Sequence, residues 1–325
     1  MMGLAMQSLQ QSKDLKVLTL SFLTSLPFAY FGTAILLIMA YLVQPALLSP
    51  MLLLMILRQA APLGLVVIGQ SVCMRVLSLD LSVGGVVVGV SYLLTSGIIG
   101  ASEPVLLAIS LLFGVFVGLV NAIFITRIRA SSVIVTMATA MIIIGVVLAL
   151  SQFHAPGEAP SLLKFLGQQR IGSVPVAVVV WIGLLIPVAL FLRISVFGRF
   201  VVALGANPTA ARVSGLPYVQ IVMLTHVGSS LFAVLSGWLL VGFVGMGNVN
   251  LGADLALNSL TAVILGGVTF GAGRGGLLGP AIAAFLLTFS LNFLTSIGLG
   301  EPGKLMLQGT IIALAAIGYT SKRQM

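Results

Sequence analysis

Apolar blocks fill this chain almost from end to end, separated by short gaps that hold nearly all of its charged residues. A block of about 20 apolar residues is the length that crosses the hydrocarbon core of a bilayer as a helix. Such blocks run from Pro27 to Leu47, Leu52 to Ser78, Leu81 to Gly100, Val105 to Thr126, Ser132 to Leu150 and Val174 to Leu192. Four more run from Val219 to Val244, Asn258 to Phe270, Leu277 to Ile297 and Lys304 to Tyr319. The pattern predicts an all-α polytopic membrane protein of about ten transmembrane helices. The block from Asn258 to Phe270 falls short of a full crossing, so it is expected to be broken or shielded by its neighbours. The first block follows Lys13 and Lys16, exceeds the apolar core of about 7–15 residues found in signal peptides, and has no small-residue cleavage site after it, so it reads as a retained anchor.

The charges add an orientation. With an even number of spans both termini lie on one side, and the gaps on that side hold Lys13, Lys16, Arg75, Arg127, Arg129, Arg193, Arg199, Arg212, Arg274, Lys322 and Arg323. The other side has Lys164, Arg170 and Lys304. Basic residues near span ends favour the cytoplasm, so both termini are expected there. This divides the chain into a cytoplasmic N-terminal segment (1–26), a transmembrane domain (27–320) with an internal loop at 195–218 and an external loop at 151–173, and a cytoplasmic tail (321–325).

Composition agrees. With 59% hydrophobic and 6% charged residues, the chain lies far from the roughly 25% charged content of soluble domains. The net charge of +9 is scattered and never forms a run, which argues against a nucleic-acid partner and leaves membrane lipid as the surroundings. The lone cysteine, Cys73, excludes an intrachain disulfide, and no Cys/His cluster has metal-ligand spacing, so no metal is expected.

Within the internal loop, Asn207-Pro208 is a helix start with proline at the first helical position, and Ser214-Gly215-Leu216-Pro217 is a glycine stop followed by proline. A short surface helix over Thr209–Val213 is predicted between them. Small residues recur four apart at Gly85/Gly89, Gly114/Gly118, Gly267/Gly271 and Gly275/Gly279, which allows close helix approach in lipid. Asn121 and Asn292 fall near the C-terminal ends of the fourth and ninth spans, which run in opposite directions and so point to an inverted repeat.

Three stretches carry a further signal. The first is Leu79-Asp80-Leu81-Ser82-Val83-Gly84-Gly85. The second is Gly198-Arg199, Ala203-Leu204-Gly205-Ala206-Asn207-Pro208 and Ala210-Ala211-Arg212-Val213-Ser214-Gly215. The third is Leu260-Thr261-Ala262-Val263-Ile264-Leu265-Gly266-Gly267 followed by Gly271-Ala272-Gly273-Arg274-Gly275. From about Ala60 to the C-terminus they resemble the permease subunits of bacterial ribose-type monosaccharide ABC importers, the second being similar to the family's cytoplasmic loop that contacts the ATPase. Where the family often carries an acid before the late glycine-rich run, this chain has Asn258 and Ser259. The resemblance implies a bacterial inner-membrane subunit with an ATP-binding partner that carries ATP and Mg, a periplasmic sugar-binding protein, and a second permease copy or a paralogue.

Candidate chemistry is sparse. Asp80 sits at a turn where its carboxylate can cap the helix that begins near Ser82, with a coupling role as the alternative reading. Gln70, Ser71, Asn121, Asn258, Ser259, Asn292 and Gln308 are the intramembrane polar residues available to line a path, with Arg58 and Gln59 nearer the outside; interhelical hydrogen bonding is the other use for each. Their shared neutrality suits an uncharged polyhydroxyl solute and offers little to an ion-gradient relay. No catalytic triad, H-E-x-x-H or phosphate-cradling G-x-x-x-x-G-K-[ST] loop is present, so ATP would be hydrolysed on another polypeptide and no cofactor is expected on this one. Rival readings are a permease for nucleosides or branched-chain amino acids, and an ATPase-independent channel or secondary carrier.

Overall fold

The computed structural model describes residues 27–152, 157–270, 273 and 275–300, with 302, 303, 305, 306, 309, 310 and 313 beyond them. Among the described residues the regular elements are helices, apart from one hairpin of two two-residue strands and an isolated bridge between Glu158 and Met246. The helices are α1 (Phe28–Val43), α2 (Pro50–Arg75), α3 (Val83–Thr95), α4 (Glu103–Thr126), α5 (Ser132–Ser151), α6 (Ser161–Gln168), α7 (Val176–Ile194), α8 (Val196–Ala206), α9 (Pro208–Val213), α10 (Tyr218–Val244), α11 (Leu255–Leu265) and α12 (Leu278–Ser296). A 3₁₀ turn, Pro45–Leu48, joins α1 to α2. Strands β1 (Arg170–Ile171) and β2 (Val174–Pro175) pair antiparallel just before α7.

Among the described residues six helices, α2, α4, α5, α7, α10 and α12, are long and apolar enough to cross a bilayer. The apolar blocks expected at the first, third and eighth positions form shorter helices of 16, 13 and 11 residues. The third stops at Thr95 rather than Gly100, ahead of Gly97, whose φ of +70° no continuing helix accepts. The tenth block lies largely outside the described residues. Nearly all of α3 is buried, so neighbours rather than lipid surround it, which is how a short apolar helix is tolerated at membrane depth.

Helix α10 is the axis of the bundle, packed on α2, α3, α4 and α6. The apolar effect gives little reason for helices to associate in lipid, so close packing must supply it. At Gly118 an added Cβ would lie 2.6 Å from Val227 Cα, and at Gly69 it would lie 2.6 Å from Ser229 Cα. Backbone thus meets backbone on two sides of α10. Gly85, of the four-spaced pairs, abuts Ala140 in the same manner. Helix α5 is the opposite case: it packs on α3 and α4 and turns most of its surface outward.

Gly118→Val should therefore lower the melting midpoint of the detergent-purified protein by the equivalent of about 1–3 kcal/mol through overpacking. Gly145→Val is the control, because nothing lies within 4 Å of a Cβ at that position on α5, and its midpoint should stay at the wild-type value.

Candidate functional site

Four helices border a half-open cavity of about 320 Å³. Its walls are Gln59, Pro62 and Leu63 of α2, Leu240 of α10, Leu255 and Asn258 of α11, and Leu287, Thr288, Leu291, Asn292 and Thr295 of α12. The α12 set recurs at helical spacing and so forms one face. Asn292 Nδ2 donates to Gln59 Oε1 at 2.9 Å and to the Thr288 carbonyl at 2.9 Å, tying the α12 wall to the α2 wall. Pro62, inside α2, has no N–H for the Arg58 carbonyl one turn earlier. No charged side chain is among the lining residues; amides, hydroxyls and leucines are.

A second polar cluster lies sealed in the bundle, toward the other end of α2. The carboxylate of Asp80 accepts from the backbone N–H of Ser82 at 3.0 Å and from its hydroxyl. Ser82 Oγ accepts from Asn121 Nδ2 at 2.9 Å, and Asn121 Oδ1 accepts from Thr139 at 2.7 Å. Gln70 Oε1 accepts from the Asp80 N–H at 3.3 Å. The chain of contacts joins α2, the α2–α3 turn, α4 and α5. Leu77 holds φ +62° in that turn, a left-handed position that glycine usually fills. It is stabilised by the Ser78 N–H bonding the Cys73 carbonyl at 3.0 Å.

The stretch 195–218, expected as a loop with one short helix, is two helices meeting at an elbow. Ser195 Oγ caps α8 by accepting from Gly198 N at 3.0 Å, and Asn207 Oδ1 caps α9 by accepting from Ala210 N at 3.0 Å. Helix α9 closes with Leu216 N–H on the Ala211 carbonyl and Gly215 N–H on that of Arg212, both 3.0 Å, with Gly215 at φ +78°; this is the six-to-one, five-to-two C-cap. The Arg212 guanidinium stacks 3.9 Å over the Tyr218 ring, and Arg199 donates to the Ile194 carbonyl at 3.2 Å. Val213 is 84% exposed at the tip, while Ala211 is buried beneath it. At Gly205 a Cβ would lie 1.9 Å from the Arg75 carbonyl and 2.6 Å from Gly273 Cα. The elbow is thereby seated against the end of α2 and the late glycine-rich segment.

The model for the branched-chain amino acid transport system / permease component family matches residues 52–320. The chain belongs to this permease family. The permease is 26% identical over 291 residues to the ribose import permease protein RbsC of Bacillus subtilis (strain 168), covering 89% of this chain and 90% of that one. It is 29% identical over 276 residues to the fructose import permease protein FrcC of Rhizobium meliloti, covering 80% and 75% respectively. It is 27% identical over 267 residues to the autoinducer 2 import system permease protein LsrD of Yersinia enterocolitica, covering 80% and 78%. No solved structure matches it. The permease is a multi-pass protein of the inner membrane.

At the cavity end of the permease, α6 lies across α10 with its backbone touching: a Cβ at Gly242 would stand 1.9 Å from the Leu163 carbonyl. Arg58 Nε donates to the Gly167 carbonyl at 2.7 Å while its guanidinium sits 4.4 Å over the Phe243 ring. Glu103 accepts from the N–H and hydroxyl of Ser161 at 2.9 Å. Lys164 pairs with Glu158 at 2.7 Å and holds that carboxyl below its usual range. The stabilisation from this exposed pair is present above the ordinary glutamate pKa and fades as pH falls through the lowered one.

The predicted path residues divide. Asn258 and Asn292 line the cavity, as does Gln59; Gln70 and Asn121 belong to the sealed cluster instead. The hydroxyls of Ser71 and Ser259 bond carbonyls of their own helices, Val67 at 2.6 Å and Ala256 at 2.9 Å. Gln308 and Arg274 lie outside the described residues. Thr288 and Thr295 were missed, although their seven-residue spacing around Asn292 marks the face. Asn121 and Asn292, the pair that pointed to an inverted repeat, occupy unlike surroundings.

Asn121→Ala strips a partner from both Ser82 and Thr139, and should cost about 1–3 kcal/mol of stability, measured as a lower melting midpoint in detergent. Ser71→Ala removes only a bond to its own helix and should change stability by less than about 0.5 kcal/mol.

Proposed function

We propose that this chain is the membrane subunit of an ATP-driven importer for a neutral monosaccharide of the ribose or fructose kind. The observation that carries the reading is the uncharged cavity, whose amides, hydroxyls and leucines complement a sugar's mix of hydroxyl edges and apolar faces. An amino acid's carboxylate and ammonium would find no counter-charge among the lining residues, and desolvating them unpaired is costly. The names of the ribose and fructose relatives agree with the substrate class.

The bundle spans the membrane about ten times with both termini in the cytoplasm, as the basic residues at Arg75, Arg127, Arg129, Arg193, Arg199 and Arg212 favour. ATP and Mg bind a separate ATPase subunit, which docks on the elbow formed by α8 and α9. A periplasmic binding protein delivers the sugar to the outer layer around α6, and a second copy or a paralogue completes the transporter. Nucleotide acts by favouring one of two bundle states: it moves α9, the cap at Asn207 and the stack of Arg212 on Tyr218 keep that helix rigid, and the Gly205 contact passes the motion to the end of α2.

The test is reconstitution of the permease with its ATPase and binding protein in liposomes, with uptake of labelled ribose, fructose, leucine and adenosine. ATP-dependent uptake of a sugar is expected; ATP-independent uptake, or preference for leucine or adenosine, would overturn the proposal. In the same assay Asn258→Ala should raise the half-saturating sugar concentration about two- to tenfold, the effect of one lost hydrogen bond of about 0.5–1.5 kcal/mol. Arg212→Glu should leave insertion intact and ATP hydrolysis uncoupled from uptake, and a reporter fused after Arg323 should report the cytoplasm.

A further inference from the structure

Independently of the transport reading, Asp80 of the sealed cluster also meets two side chains given no role so far. Cys73 near the end of α2, Asp80 in the α2–α3 turn and His226 on α10 meet in the interior, each 0% exposed. A thiol sulfur, a carboxylate oxygen and an imidazole nitrogen there all lie within 4.8 Å of one another. Linear spacing conceals the group, because its members come from three separate elements.

The polar atoms in this group do not satisfy each other. Asp80 Oδ1 is taken by Ser82, and Oδ2 has no hydrogen-bond partner. Ser78 Oγ lies 2.7 Å from His226 Nε2, which leaves Nδ1, and Nδ1 has no partner either. The Cys73 thiol makes a long contact of 3.9 Å to the Thr225 carbonyl and faces the Ser229 hydroxyl on the same helix. Among the described residues no cation pairs with Asp80. A carboxylate without counter-charge and an orphaned ring nitrogen, shut away from water, carry a large desolvation penalty that a bound cation would remove.

We propose that Cys73, Asp80 and His226 form a buried binding site for one divalent cation of the zinc class. Mixed sulfur, nitrogen and oxygen donors are the ligand set of Zn²⁺, and exclude the all-oxygen preference of Ca²⁺ and Mg²⁺. Charge agrees: a thiolate and a carboxylate sum to −2, imidazole is neutral, and one divalent ion brings the buried site to zero. Binding breaks the Cys73 S–H bond, forms the sulfur–metal bond and releases the proton to water. A tetrahedral ion with bonds of about 2.0–2.3 Å keeps its ligand atoms roughly 3.5 Å apart, so side-chain shifts of about an ångström close the set. Ser78, through Nε2, is the positioning residue that fixes the tautomer and aims Nδ1. The ion would pin α10 to the α2 end that the elbow touches at Gly205.

The experiment uses the full chain, purified in detergent with its affinity tag removed, from cells grown in zinc-supplemented or cobalt-substituted medium. Metal content is measured by mass spectrometry and cobalt ligation by absorption. The expected result is about one ion per chain and a thiolate-to-cobalt charge-transfer band in the near ultraviolet. Cys73→Ser and His226→Gln, each checked for a monodisperse elution profile, should lose the band. Ser78→Ala should keep it but weaken affinity about 10–100-fold. Metal content near zero from both media, cobalt bound without the charge-transfer band, or full binding by Cys73→Ser would each overturn the assignment.

Discussion

Backbone contact along α10 is the constraint on which the architecture rests. Lipid rewards no burial of apolar side chains as water does, so the helices associate through fit and through polar bonds that lipid cannot replace. Gly69 on α2 and Gly118 on α4 bring two neighbours against α10 without an intervening side chain. That proximity shapes the cavity at one end and lets small groups such as Ser78, Ser82 and Cys73 reach across helices at the other.

The two ends have different chemistry for a physical reason. Around the cavity, polar groups face an open volume, and Asn292 secures its geometry by bonding to both Gln59 and its own helix. Around Asp80 the polar groups are buried against one another, and bonds such as those of Asn121 to Ser82 and Thr139 join separate elements, while Asp80 Oδ2 and His226 Nδ1 stay without a partner. One region has room for a solute; the other is a set of cross-links near the elbow, where movement of α9 would be felt first.

Much of the helical architecture was legible because bilayer thickness is a coarse constraint written in the lengths of apolar blocks. The long apolar helices emerged close to their expected bounds: Ser132–Ser151 against an expected Ser132 to Leu150, and Tyr218–Val244 against Val219 to Val244. The caps at Asn207 and Gly215 were legible because they depend on neighbours in sequence. Helix α8 was not, because its 11 residues are too few for a spanning block and its glycines resemble loop until Gly205 is seen against the Arg75 carbonyl. The assignment of individual amides also escaped sequence reasoning. Whether Asn121 or Asn258 borders an open space depends on the rotation of its helix, which one residue cannot reveal. The convergence of Cys73, Asp80 and His226 is a product of tertiary packing alone.

Pro62 divides α2 into two arms of unequal freedom. Past the proline, the inner arm is wholly buried to Arg75, whereas the outer one is mostly half-exposed back to Pro50. The missing hydrogen bond makes this the softest point of the helix. Twelve residues of outer arm measure about 18 Å, so a tilt of about 10° at the proline swings the tip roughly 3 Å. Because Arg58 on that arm holds α6 through the Gly167 carbonyl and Gln59 beside it holds Asn292 of α12, the same swing would carry the outer layer with it and change the width of the cavity mouth.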